Sequence, residues 1–474
     1  MQKFLLVSFA CAFGVNSLIA QSDSSMVSKP EFQIAHLPEI DELTAEFFTA
    51  NRKKMRDTLP DSSMAVIFSA SVKARSNDID FPFHQDPDFY YFTGVREPDA
   101  MLVLFKEPIM VDKRQISEIL FVEDKSDSKE RWTGRMLGMD GAKRISGIET
   151  VLPNTDFKPM EFPWDRILKV YANKHQDIER DDVTHPGDLM SLSKHFKLKL
   201  NRAGLTAKVN EFEDLIAFLR QRKSEQEIMM LQRAIEITCE AQRNAMQSIK
   251  AGMTEYQVEA LIEYTFRANG ADGAAFPSIV AAGRNGAIMH YTSNNSLLFP
   301  GDLVVMDIGA QYEGYAADVT RTVPIDGKFT EEQAAIYQIV LDAQTVAARY
   351  ATPGYKFWTP HEEAYRTIGK GLIKLGIITE WSEIGNYFIH GTSHYLGLDV
   401  HDAGLYTSLK PGDVITVEPG IYIPEGSPCD PKWWNIYVRI EDDLLITNGE
   451  ARVLSDCVPK TIQDIESLMG ELTD

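Results

Sequence analysis

The stretch Val304–Pro324 reads VVMDIGAQYEGYAADVTRTVP. Two apolar runs, Val304–Ile308 and Ala317–Val323, flank Tyr312-Glu313-Gly314. Apolar, β-branched runs on either side of a glycine-containing turn describe an antiparallel hairpin. With the turn centred between Tyr312 and Glu313, Asp307 stands directly opposite Asp318. Like charges facing across a ladder are destabilising. One metal ion, or two, would reverse that penalty by neutralising both carboxylates. A looser register, or aspartates facing solvent, is the plainer alternative.

Two later apolar runs carry one acid each. VITVEPGIYI brings Glu418 to the end of a nearly all-apolar run, and IYVRIEDDLLIT places Glu441 two residues after Arg439 on one strand face. A buried carboxylate without a partner is expensive. Arg439 is a sufficient structural partner for Glu441. Glu418 has no such neighbour, although Pro419 and Gly420 can make it a strand-end residue.

The stretch His390–Asp402, HGTSHYLGLDVHD, holds three of the ten histidines of the chain. Helical spacing would set His390 and His394 on one face, but Gly391, Thr392, Gly397 and Val400 are poor helix formers. A bent strand and loop is expected instead, with Asp399 and Asp402 either structural or supporting the residues of the site from behind. Asp307, Asp318, Glu418, Glu441 and one histidine together form a hard, oxygen-rich donor set. Such a set favours Mn²⁺, with Zn²⁺, Co²⁺ and Fe²⁺ as alternatives. Four carboxylates exceed the charge of one divalent ion, so two ions sharing bridging carboxylates are the natural inference.

The rest of the chain supplies the scaffold. Residues 40–205 alternate helical and strand patterns: DELTAEFFTANRKKMRDTL, then Met64–Phe68, MLVLF from Met101 and EILFVED from Glu118. From about residue 215 the pattern changes. Ser224 with Glu227, Thr254 with Gln257 and Thr330 with Gln333 each announce a helix through a capping box. Asn269-Gly270 ends the second of these, and residues 360–376 give a fourth helix. Helices segregated from strand pairs make this half α+β.

Net charge is −21 with an isoelectric point near 5.0. Nucleic acid and anionic membrane surfaces are poor partners for such a chain. Lys3 followed by the uncharged run Phe4–Ala20 and then QSDSS fits a secretory signal peptide over residues 1–20. A retained anchor is the rival reading. The expectation is an exported protein, periplasmic or secreted, without stable membrane insertion. Of the four cysteines, Cys11 falls in that leader and Cys239 reads as a small core residue of a helix. Cys429 and Cys457 could pair in an oxidising compartment.

The ordered set MDIGAQYEGYAADVTRT, HGTSHYLGLDVHD, VEPGIYI and VRIEDD resembles the pita-bread metallopeptidases, aminopeptidase P above all. FPFHQDPDFYYFTGVREPDA resembles the hallmark of the aminopeptidase P N-terminal domain, so the resemblance spans nearly the whole mature chain. It implies a creatinase-like α/β domain over residues 40–205 and a pita-bread catalytic domain over residues 215–474. It implies metal ligation by Asp307, Asp318, His394, Glu418 and Glu441, with Asp318 and Glu441 bridging. His290, His390 and His401 would face substrate, Glu418 would also shuttle a proton, and Arg439 would stand beside the carboxylates.

The implied reaction releases the first residue of Xaa-Pro peptides by attack of a metal-bridging hydroxide. The implied assembly is a homodimer or homotetramer. An Xaa-Pro dipeptidase is the alternative, and a non-catalytic pita-bread binding protein a more distant one. Departures from the family pattern fall at Asn295, where close relatives often carry an acid, and at Tyr90-Tyr91, where a related sequence has tryptophan.

Overall fold

The computed structural model describes residues 43–111, 114–174 and 187–470. The leader reading and Cys11 therefore lie outside the described residues. These described residues form one compact unit.

The N-terminal part is built on a mixed six-stranded sheet in the order Val151–Pro153, Arg114–Val122, Met101–Val111, Ser63–Phe68, Lys169–Ala172, Ala207–Lys208. Ser63–Phe68 is buried along its whole length because the sheet is covered on both faces. Its side chains alternate between two cores, as strand geometry requires. Met64, Val66 and Phe68 join a cluster with Phe196 of the helix Leu189–Ala203. Ala65 and Ile67 join a larger one with Met55 of the helix Ala45–Thr58. That second cluster continues without a break through Phe212 and Leu231 to Met469, so both halves of the chain share one apolar core.

In the C-terminal part, four helices, Glu225–Ser248, Glu255–Ala268, Glu331–Tyr350 and Thr359–Lys374, flank short antiparallel ladders. The helices begin where the capping chemistry places them. Ser224 and Thr330 each accept the N–H three residues on, and Glu227, Gln257 and Gln333 return the bond to the cap N–H. Gly270, at φ +85°, closes the second helix.

The hairpin differs from expectation by two residues of register. Asp307 stands opposite Thr320, not Asp318, and Tyr312 pairs with Tyr315. Glu313 and Gly314, at φ 49° and 82°, form the two-residue turn. Positive φ at both central positions gives the twist that suits an antiparallel hairpin, which is why the turn sits one residue later. The two strands also bend at Gly309, where an added Cβ would lie 1.7 Å from the Ala317 carbonyl oxygen. Thr238 and Gln242 of the helix Glu225–Ser248 fill this bend. Thr238 Oγ1 accepts the Ala310 N–H, and Gln242 Nε2 donates to the carbonyls of Met306 and Val319.

The cysteines also pair differently. Cys239 is bonded to Cys457, 218 residues away, and Cys429 is free. The helix Glu225–Ser248 turns Cys239 toward the segment after Arg452–Val453, a proximity that sequence spacing does not reveal.

Candidate active site

Several pieces of chain converge on one cavity of about 900 Å³. Asp307 comes from Leu303–Ile308, and Asp318 lies just before Val319–Pro324. Glu418 follows Val414–Val417, and Glu441 lies between Ile436–Arg439 and Asp442–Leu445. The histidine stretch is no helix. Its residues 392–396 run beside Val414–Val417, with Thr416 N–H bonded to the His394 carbonyl and Glu418 N–H to the Thr392 carbonyl. All five expected metal ligands line the cavity, and so do His290, His390, His401 and Arg439.

His394 is oriented by the backbone of the residue that follows it. Its Nδ1 lies 3.0 Å from the Tyr395 carbonyl and so carries the proton, leaving the Nε2 lone pair turned to the acids. That Nε2 is 3.5 Å from Asp318 Oδ2 and 3.5 Å from Glu418 Oε1. Ligand atoms of Asp318, His394 and Glu441 all lie within 4.8 Å of one another. The His401 ring stacks on His394 at 4.1 Å.

Arg439 does not pair with Glu441, the simplest expectation from sequence. Its Nη2 donates to Asp307 Oδ2 at 2.6 Å, and Nη1 donates to the Tyr422 hydroxyl at 3.0 Å. Glu441 instead accepts from Thr320 Oγ1 at 2.7 Å, because Val319–Pro324 and Ile436–Arg439 lie side by side. Tyr422 in turn donates to His390 Nε2, whose Nδ1–H is held by the Gly391 carbonyl. An ordered line of donors thus runs from Arg439 to His390, whose Nδ1 is 3.9 Å from Glu418 Oε2.

The electrostatics are those of acids crowded away from water. Burial, then Asp307 and Asp443, hold Asp318 well above the usual carboxylate range. Burial, then Asp318 and Glu418, do the same to Glu441. Burial pushes Glu418 up to about 7. Burial and Arg439 push His390 down to about 4, and burial with the nearby His394 and His290 takes His401 to about 4. Asp307 Oδ1 and Asp318 Oδ1 are buried without a hydrogen-bond partner. Orphaned carboxylate oxygens beside an imidazole lone pair are what divalent cations satisfy, so these residues fit a metal centre.

Residues 229–448 match the family model described as metallopeptidase family M24, and residues 48–162 match the aminopeptidase P N-terminal domain. The Xaa-Pro aminopeptidase of Escherichia coli (strain K12) is 36% identical over 442 residues, covering 90% of this chain and 98% of that protein. The chain belongs to the aminopeptidase P family of M24 metallopeptidases. Xaa-Pro aminopeptidase 3 of Homo sapiens is 35% identical over 419 residues, 86% of this chain and 80% of that protein. The solved structure of the aminopeptidase PepP of Pseudomonas aeruginosa matches with a TM-score of 0.82 at 32% identity, covering 91% of this chain and 99% of that one. Aminopeptidase P from E. coli with the inhibitor Pro-Leu matches with a TM-score of 0.80 at 34% identity, covering 90% and 98%.

This member of the aminopeptidase P family has supporting residues that sequence reasoning did not assign. Thr320 anchors Glu441 and Tyr422 links Arg439 to His390; their positions among paired strands carried no local signal. Asp443 accepts the Asp318 N–H at 3.2 Å. Tyr90 and Tyr91 are buried in the core and do not line this cavity. Asp402 is bound by Arg220 and by Lys223, and Asp399, which also lines the cavity, is bound by Arg220.

Proposed function

We propose that the protein is a metal-dependent Xaa-Pro aminopeptidase that removes the first residue of peptides with proline second. One observation carries this reading. The imidazole Nε2 of His394 faces Asp318 and Glu418 at 3.5 Å each, inside a cavity that also holds Asp307, Glu441 and three further histidines. The relatives named above, Xaa-Pro aminopeptidases by description, support the substrate class.

Asp307, Asp318, His394, Glu418 and Glu441 would hold two divalent ions, with Mn²⁺ first and Zn²⁺, Co²⁺ or Fe²⁺ as alternatives. One relative's structure is described as Zn-substituted E. coli aminopeptidase P in complex with product. Bound ions supply positive charge that polarises water and the scissile carbonyl. The side chains do the rest. Glu418 accepts the proton of the attacking water and returns it to the departing proline nitrogen, which has no hydrogen of its own. His290 and His401 donate to carbonyl oxygens of substrate. His390, held in one tautomer by Gly391 and Tyr422, positions the chain beside Glu418. Arg439 fixes Asp307 and, through Tyr422, His390.

The test is hydrolysis by purified protein loaded with each metal. Substrates are Xaa-Pro-Xaa tripeptides, Xaa-Pro dipeptides and Met-Ala peptides, with Asp318→Ala as control. The expected outcome is cleavage of the tripeptides by the wild type. In Asp318→Ala, a loss of more than about 100-fold is expected together with loss of bound metal by elemental analysis. Cleavage of dipeptides alone would make it a dipeptidase. No cleavage by loaded protein would favour a binding role.

We also infer an exported location. The uncharged run after Lys3 supports it, and so does a disulfide joining Cys239 to Cys457, a bond that persists in oxidising compartments. Among the described residues, no helix is long and apolar enough to cross a membrane.

A further inference from the structure

The cavity has an aromatic side that the chemistry above does not use. Trp358 and Tyr406 both line it, and their rings stack at 6.4 Å with 25° between planes. Behind them, Phe357 packs edge-on against both, at 5.6 Å and 4.7 Å, and Tyr395 meets Tyr406 at 5.2 Å. Trp358 is 48% exposed and Tyr406 38%, whereas Phe357 and Tyr395 are fully buried. A flat apolar surface is therefore presented to the cavity on a rigid backing.

The backbone holds this surface in place. Phe357 N–H bonds to the Thr407 carbonyl at 2.7 Å, and Leu409 N–H bonds to the Tyr355 carbonyl at 2.9 Å. These bonds join the segments that carry Trp358 and Tyr406 into a short antiparallel pair, with Lys356 opposite Ser408. Tyr406 itself sits at φ +49°. A bulky residue in the left-handed region costs roughly 1 kcal/mol or more and persists only where its surroundings impose it. Here that conformation places the ring over Phe357 and beside Trp358.

Depth assigns the surface to one part of the substrate. Asp318 is 5% exposed and Glu441 1%, so the carboxylates form the closed end of the cavity. An enzyme that removes a single residue must place the free amine and first residue at that end. Everything beyond the scissile bond must then run toward the open side of the cavity, where the lining includes the exposed Gly391 and Trp358. Trp358 stands there, its ring 4.0 Å from the position a Cβ on Gly391 would take.

We propose that Trp358, backed by Tyr406, is a specificity wall for the side chain of the third residue of the peptide, favouring aromatic or large aliphatic groups. This rests on the Xaa-Pro aminopeptidase reading. It also distinguishes tripeptides from dipeptides, whose two residues end short of the wall.

The experiment compares kcat and KM for Ala-Pro-Phe and Ala-Pro-Gly in metal-loaded wild type, Trp358→Ala and Trp358→Phe. The wild type is expected to favour Ala-Pro-Phe in kcat/KM by about 3- to 10-fold, the range of a ring–ring contact. Trp358→Ala should bring that ratio toward one through a higher KM for Ala-Pro-Phe, and Trp358→Phe should keep most of it. Equal kcat/KM for the two peptides in the wild type would overturn the proposal, whatever the variants do. An unchanged ratio in Trp358→Ala would also overturn it while leaving the aminopeptidase reading intact. Failure of the wild type to cleave either tripeptide would instead remove the underlying reading, and the wall with it.

Discussion

At the scale of single residues, burial decides more than identity. Asp99 shows this away from the candidate site. It lies at φ +57°, accepts the Leu189 N–H at 3.0 Å, and is pushed by burial, with help from Glu123, from an ordinary 3.8 to about 6. A carboxyl with a raised folded value binds more protons folded than unfolded between those limits. Its contribution to stability therefore falls as pH rises from about 4 to 6. Asp99→Asn tolerates the left-handed backbone and can accept the same N–H, so it should lose that part of the pH slope. Melting temperatures of wild type and variant across pH 4–8 measure it. The variant is expected to melt higher than wild type above pH 6. Nothing in the sequence around Asp99 marks it, because its shift comes from groups that only folding brings near.

At the scale of elements, the hairpin Leu303–Pro324 carries two of the five candidate metal ligands, Asp307 and Asp318. Its strands were legible from apolar runs, and its capped neighbouring helices from Ser224, Thr254 and Thr330. Its register was not, because the choice between adjacent turns rested on which residues take positive φ. Gly309 is the sharpest probe of the arrangement. An added methyl would collide with the Ala317 carbonyl, so Gly309→Ala must spread the two strands between Asp307 and Asp318. The expected result is a loss of about 3 kcal/mol or more in stability. Weaker retention of metal should accompany it, measured by thermal melting and by elemental analysis after dialysis. Unchanged metal content would show that the bend does not set the spacing of the two carboxylates.

At the scale of the whole molecule, one buried charge network ties the N-terminal sheet region to the histidine stretch. Arg220 is bonded to Asp88 of the helix Pro87–Thr93 at 2.7 Å, to Asp399 at 2.8 Å and to Asp402. Lys223 joins Asp402 at 2.8 Å. Removing the guanidinium leaves Asp88 without its cation and Asp402 with Lys223 alone, a loss of about 3 kcal/mol. Arg220→Met should therefore lower the melting temperature and also reduce kcat/KM, since His394 and His401 lie on the same stretch as Asp399 and Asp402. A double variant, Arg220→Met with Asp88→Asn, should recover part of the stability, since it neutralises the acid that Arg220 compensates and leaves the Lys223–Asp402 pair intact. Failure of that recovery would mean that the Asp88 carboxylate is not what the guanidinium stabilises.

The sequence by itself determined the set of candidate residues. The ordered acids and histidines, their residue types and their placement on apolar runs were local properties, and each expected site residue lines the one cavity. It also determined where helices begin, since capping is an exchange between residues three apart. Tertiary structure alone decided the partners. Arg439 chose Asp307 over Glu441, Cys239 chose Cys457 over the free Cys429, and Trp358 met Tyr406 across 48 residues of chain. The physical reason is common to all three: pairing depends on distance in space, and strand register and helix rotation set that distance without leaving a trace in local sequence.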